Sequence, residues 1–132
     1  IAVDNSPEML DRLRDTLGDL YEMVDPRLGE IEHLPLPDRS VDAAIANMVL
    51  HHIASPQLVL QDTHRVLRNG GRMIVVDLVR HENEAMRDKF GDLWLGFEPD
   101  ELCAWARQTG FINPEVSFAD TEREVFMLTV SK

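Results

Sequence analysis

The sequence opens on Ile1-Ala2-Val3-Asp4, which reads as the end of a buried strand that finishes in a carboxylate. Asn5-Ser6-Pro7-Glu8-Met9-Leu10 then launches a helix. Ser6 supplies an N-cap oxygen and Pro7 suits the first helical position. Met9, Leu10, Leu13 and Leu17 recur at helical spacing until Gly18 stops them. A strand ending in an acid that faces a helix start belongs to open α/β sheets, where such an acid holds the hydroxyls of a ribose. The glycine-rich turn that goes with it, one strand earlier, is not in the sequence, and residue 1 is Ile. The expectation is a processed or excised piece carrying most of a nucleotide-type site without its first element.

The rest of the chain alternates in the same way. Arg27 to Ile31 is a short strand candidate, with Pro26 marking an edge or a strand start. The two prolines of Leu34-Pro35-Leu36-Pro37 impose an extended connection. Val41 to Asn47 is nearly continuous in apolar residues, which suits a parallel strand covered on both faces. Ser55-Pro56 starts a helix by the same cap-and-proline device, and Asn69-Gly70-Gly71 is expected to end it. Met73 to Val76 is a buried strand ending at Asp77. Residues 82–95 are expected to be helical up to Gly96-Phe97, and Pro99 to Thr109 forms a further helix stopped by Gly110. Val116 to Phe118 and Val125 to Val130 read as an antiparallel pair. The order predicts one domain over residues 1–132, an α/β doubly wound sheet, mostly parallel, with an antiparallel C-terminal hairpin.

Charge and composition exclude several classes. A net charge of −11, with 13 basic residues scattered among 24 acidic ones, argues against nucleic acid as a partner. No apolar run approaches the length of a membrane span. Cys103 is the single cysteine, so no intrachain disulfide forms; a reducing, cytoplasmic setting and a role as a small buried hydrophobe are expected. There is no Gly-x-Ser-x-Gly elbow for a serine hydrolase. The five histidines lack zinc-type spacing, so no metal is expected.

Four segments in register resemble class I S-adenosylmethionine-dependent methyltransferases. They are Asp4-x-Ser6-x-x-Met9-Leu10; Gly29-Glu30-Ile31-Glu32 with Leu34-Pro35-Leu36-Pro37-Asp38 and Val41-Asp42; Asn47-Met48-Val49-Leu50-His51-His52-Ile53; and Arg65-Val66-Leu67-Arg68-Asn69-Gly70-Gly71-Arg72. Asp77-Leu78-Val79-Arg80-His81 and Asp92-Leu93-Trp94-Leu95-Gly96-Phe97 resemble bacterial methyltransferase domains fused to ArsR-type regulators. The resemblance implies a Rossmann-like sheet whose first central strand is missing from the chain, with S-adenosyl-L-methionine as cofactor and a small-molecule acceptor.

It also implies roles for individual residues. Asp4 would accept hydrogen bonds from the ribose hydroxyls, or serve only as a helix-start acid. Asn5 and Met9 would flank the adenine, Met9 being equally suited to a core position. Glu30, where the family more often has Asp, would accept from the adenine amine, or be a plain surface residue, with the Ile31 backbone at the ring edge. Asn47 would orient the methionine end or the substrate, or simply form a turn. Of the adjacent His51 and His52 at most one enters the pocket, and His52 is the better candidate for a general base. Asp77 would line the acceptor site or cap the next segment. Trp94 and Phe97 could wall the pocket, while Trp105 suits the core.

A nicotinamide dehydrogenase would predict neither the Leu-Pro-x-Pro-Asp connection nor the Asn69-Gly70-Gly71 entry to a strand. The surviving rival is a non-catalytic effector-binding or regulatory remnant domain. Without the first strand, two buried edges carry unpaired backbone groups. They are expected to pair with each other, or with another chain or segment through self-association or strand exchange.

Overall fold

The computed structural model describes residues 1–119 and 121–132. The first unit is a parallel pair, β1 (Ala2–Asp4) and β2 (Pro26–Leu28), in which Asp4 stands opposite Leu28. Between them runs α1 (Pro7–Leu17). Ser6 Oγ accepts a hydrogen bond from the Met9 amide at 3.2 Å, and Gly18 closes the helix at φ 52°. A 3-10 helix over Gly18–Met23 follows at once, an element the glycine stop did not predict. β2 is shorter than the expected Arg27–Ile31 because the chain turns away at Gly29, whose amide donates to the Asp4 carbonyl.

The second unit is a four-stranded sheet in the order β3-β4-β6-β5. β3 (Val41–Asn47) runs parallel to β4 (Leu67–Leu78); β6 (Val125–Ser131) pairs antiparallel with both β4 and β5 (Ile112–Phe118). The expected antiparallel hairpin is therefore present at one side. α2 (Pro56–Val66) and α4 (Pro99–Thr109) pack on one face. They bring Val59, Leu60, Leu102 and Ala106 against Met73, Val75, Phe126, Leu128 and Val130 in the main core. Cys103 is buried there, and burial pushes its thiol up. α3 (Ala85–Phe90) lies between the β4 and α4 segments of the chain.

Four expectations need correction. First, β3 is not covered on both faces: Asp42, Ala43, Ile45 and Asn47 are exposed, and Ile45 retains 71% of its surface. Its second edge faces a cleft rather than a strand. Second, Asn69-Gly70-Gly71 does not end a helix. α2 stops at Val66, Leu67 is already extended, and the three residues form an irregularity inside β4 where the register with β3 jumps from Val41↔Leu67 to Ala43↔Arg72. Gly70 takes φ 79°, and a Cβ on Gly71 would lie 2.9 Å from the Arg68 carbonyl oxygen. Third, only Ala85–Phe90 of residues 82–95 is helical. Gly91 turns at φ 75°, and the Leu93 and Trp94 amides donate to the His51 carbonyl instead of continuing a helix. Fourth, β1 and β3 do not pair with each other; the two sheets remain separate ladders. Ser55 also differs from Ser6, since its side chain makes no capping bond and Pro56 alone marks the start of α2.

Candidate functional site

The two sheets border a cleft of about 730 Å³. Its apolar lining includes Val3, Ile31, Leu34, Leu36, Val41, Ala44, Ala46 and Met73, and its polar lining includes Asp4, Asn47, Thr63 and His52. Asp4 and Asn47 end β1 and β3, so both polar strand tips reach the same concavity. This is where open α/β sheets place ligands.

Asp4 has two roles. Its Oδ1 accepts from the Ser6 amide at 2.9 Å, which fixes the turn into α1, and the half-buried residue also lines the cleft. The cap and the cleft are therefore not alternatives. Met9 lines the cleft with 49% of its surface exposed, and α1 buries none of its residues, so Met9 is not a core residue. Asn5 and Glu30 meet each other: Asn5 Nδ2 donates to Glu30 Oε2 at 3.0 Å on the exposed side, and neither lines the cleft. Ile31 does. Met48, directly after Asn47, holds φ 52°, a left-handed conformation rare for a non-glycine residue, and it lines the cleft too.

The cleft wall is held by Arg65, whose structural part the sequence did not reveal. Its guanidinium donates to the Leu34 and Leu36 carbonyls at 3.1 and 2.8 Å, to Asp62 and to Asp38. Burial pushes the Asp62 carboxyl up, but hydrogen bonds from Arg65 and the Leu34 amide, with the Arg65 charge, outweigh it and leave the group below its usual range. These contacts pin the Pro-rich connection, so Leu34 and Leu36 face the cleft at fixed positions.

The adjacent histidines divide as their spacing requires. They sit in a 3-10 turn, Leu50–His52. His52 lines the cleft with its side chain 40% exposed, whereas His51 is buried with Nδ1 2.7 Å from Asp77 Oδ1. Asp77, expected at the substrate pocket, does not line the cleft. It is fully buried because its carboxylate accepts from the Leu50 amide at 3.0 Å and the Leu78 amide at 2.8 Å as well as facing His51. Its part is to fix the histidine turn. Trp94 and Phe97 also fall away from the cleft: they pack together with ring centroids 5.5 Å apart, Trp105 stacks edge-on against both, and Trp94 Nε1 donates to the Ile53 carbonyl.

Asp92 was not among the expected site residues. The backbone bonds from Leu93 and Trp94 to His51 bring it beside the histidines, with Oδ1 3.6 Å from His52 Nδ1 and 4.0 Å from His51 Nε2. Nothing in the local sequence marks this, because the 40-residue separation is closed by tertiary contacts.

Comparison with known proteins places these features. Residues 1–75 match the family described as methyltransferase domain. An arsenite methyltransferase of Halobacterium salinarum is 44% identical over 81 residues, which cover 61% of this chain and 21% of that protein. A malonyl-[acyl-carrier protein] O-methyltransferase of Yersinia pestis is 35% identical over 95 residues, 71% of this chain and 32% of that one. The chain thus spans about a fifth to a third of these relatives' lengths. Among solved structures, a SAM-dependent methyltransferase from Thermotoga maritima aligns with a TM-score of 0.84 at 23% identity, covering 100% of this chain and 72% of that one. The [4+2]-cyclase SpnF aligns with a TM-score of 0.78 at 19% identity, covering 98% and 64%. At these identities the likeness establishes the Rossmann-like α/β fold, and the cyclase shows that this fold also carries other chemistry.

Proposed function

This chain belongs to the methyltransferase domain family, and on that basis we propose that it is part of an S-adenosylmethionine-dependent methyltransferase acting on a small-molecule acceptor. The observation that carries the reading is the convergence of Asp4, Asn47 and His52 on one cleft with Met9 and Ile31. The donor set suits the cofactor. A carboxylate at a strand tip fits a ribose diol, and a thioether and a branched aliphatic side chain fit a flat ring.

The cofactor supplies a methyl group already activated by a sulfonium, so the protein needs no nucleophile of its own. What the residues do is bind and orient. Asp4 uses Oδ1 for the Ser6 amide, and Oδ2 is the acceptor offered to the ribose. Asn47 serves the polar methionine end, held at a strand end beside the constrained Met48. The Asn5–Glu30 pair stands outside the cleft lining as a polar group for the adenine edge. His52 stands on the acceptor side and takes the acceptor's proton where the acceptor carries one.

Among the described residues, β1 and β3 each present an edge to the cleft with no strand paired to it, and Ile45 is exposed beside it. A further strand between them, supplied from outside residues 1–132, would pair both edges and complete the wound sheet. Full cofactor affinity would then need that strand. Within the family we place the chain beside methyltransferase domains joined to ArsR-type regulators, on the segments around Asp77 and Asp92. We assign it to the cytoplasm, which suits a single buried Cys103; among the described residues no helix is long and apolar enough to cross a membrane.

Titration calorimetry of the whole protein with S-adenosylhomocysteine tests the reading. One saturable site supports it. No heat of binding shifts the assignment to a regulatory domain with another effector.

A further inference from the structure

We propose that His51, His52 and Asp92 form a binding site for a divalent first-row transition metal of the zinc class, at the edge of the cleft. Each residue offers one ligand atom, and the three atoms lie within 4.8 Å of one another. Among the described residues no other set of three metal-ligating side chains converges in this way.

The independent observation is the state of Asp92. The residue is 3% exposed, and both carboxylate oxygens are buried without a hydrogen-bond partner. Among the described residues they are the only buried side-chain polar atoms of that kind. A buried carboxylate in that condition is strongly destabilising unless something pairs with it. Among the described residues no Lys or Arg forms a salt bridge with it; the groups facing it are the two imidazoles.

The surroundings are built as a metal site's outer partners are. Asp77 Oδ1 holds His51 Nδ1 at 2.7 Å, so in the neutral ring this nitrogen donates and Nε2 offers its lone pair on the Asp92 side. Asp77 is itself fixed by the Leu50 and Leu78 amides. The His51 carbonyl accepts from the Leu93 and Trp94 amides at 2.9 and 3.0 Å, which locks the Asp92 segment to the histidine turn.

Charge and distance agree. With neutral imidazoles, the carboxylates of Asp77 and Asp92 bring two negative charges into one buried neighbourhood, and a divalent cation balances both. Ligand atoms on a tetrahedral zinc stand about 3.3 Å apart. All three atoms lie within 4.8 Å of one another, so every separation closes by about 1.5 Å or less on binding, and the 3.6 and 4.0 Å separations from Asp92 by less than about one ångström. Two imidazoles and a carboxylate select a borderline metal over calcium or magnesium. Three protein ligands leave a coordination position open, and His52, which lines the cleft, places it on the cleft side. The site goes beyond the methyl-transfer reading and does not depend on it; a metal on His52 Nδ1 leaves the ring proton on Nε2, so His52 takes the acceptor's proton only in the metal-free protein.

The test titrates zinc into the metal-stripped protein against a chromophoric chelator, with cobalt substitution as a spectroscopic check. The expected result is one equivalent bound and visible d–d bands with cobalt. Asp92→Asn and His52→Ala should each weaken binding at least tenfold, and Asp77→Asn by about 10–100-fold through loss of its support. Metal-free melting and far-UV dichroism check the fold of each variant. His52 is half exposed, so His52→Ala decides the matter if Asp92→Asn does not fold. Absence of binding, absence of cobalt bands, or affinity unchanged in His52→Ala overturns the proposal.

Discussion

His51 Nδ1 and Asp77 Oδ1 stand 2.7 Å apart, both buried, across the boundary between the 3-10 turn that follows β3 and the end of β4. The pair fixes where the two histidines point, and the same carboxylate takes up the Leu50 and Leu78 amides. Asp77→Ala would leave two buried donors, the Leu50 amide and His51 Nδ1, and the half-buried Leu78 amide without that acceptor, at about 1–3 kcal/mol each. The expected loss is at least about 3 kcal/mol, and smaller for the shape-preserving Asp77→Asn. Urea unfolding midpoints at unchanged m-value measure it. A loss within about 0.5 kcal/mol, the range of neutral surface changes, would contradict the pairing.

Arg65 joins α2 to the Pro-rich connection through Asp38 and the Leu34 and Leu36 carbonyls, and the Leu36 carbonyl accepts no other described hydrogen bond. Arg65→Met keeps the stem and removes the donors. We expect a loss of about 2–3 kcal/mol in unfolding free energy, because the bonds are charge-assisted and partly buried. Protease nicking between residues 34 and 40 should rise in the same variant. Arg65→Lys should rescue little, since one ammonium cannot span the fork.

Gly96 sits at φ 73° with the Leu78 and Val79 carbonyl oxygens 2.7 and 2.5 Å from where a Cβ would be. Both the backbone conformation and the space require glycine. Gly96→Ala should cost more than about 2 kcal/mol, read as a fall in melting temperature.

His64 gives the stability a pH dependence of known sign. Burial first, then the charge of Lys132, holds its imidazole below the usual 6.5. The ring also lies edge-on to Phe111 at 5.0 Å. The unfolded chain therefore takes the proton before the folded one. The contribution is complete above about pH 6.5 and is lost as pH falls through the lower folded value. Subtracting the pH–stability curve of His64→Gln from that of the wild type should isolate this slope. A difference that stays flat below pH 6.5 would contradict it.

The elements legible in the sequence were those written in local chemistry. Ser6-Pro7 and Gly18 bound α1, Pro99 and Gly110 bound α4, and the alternating β6 strand buries Phe126, Leu128 and Val130 on one face. The carboxylate at the end of β1 and the amide at the end of β3 were likewise visible, and both line the cleft. What escaped depended on distant partners. Residues 91–95 continue the expected helical stretch in sequence, yet the His51 carbonyl takes the Leu93 and Trp94 amides. Gly70 and Gly71 look like a helix stop, but inside β4 Gly70 takes φ 79° and Gly71 relieves crowding against the Asp42 and Arg68 carbonyls. β3 has the composition of a strand buried on both faces, and its exposure reflects an edge with no neighbour. Asp92 is an unremarkable acid in a turn until tertiary contacts place it between two imidazoles.

The proposed function rests on the carboxylate at the tip of β1, and Asp4→Asn tests it with little change of shape. Asparagine retains an oxygen for the Ser6 amide and loses the charge that would hold two hydroxyls. Charge-assisted bonds of about 1.5–3 kcal/mol predict that S-adenosylhomocysteine binds the variant about 10–100-fold more weakly by calorimetry, with the melting temperature nearly unchanged. Equal affinity in the wild type and Asp4→Asn would contradict the assignment.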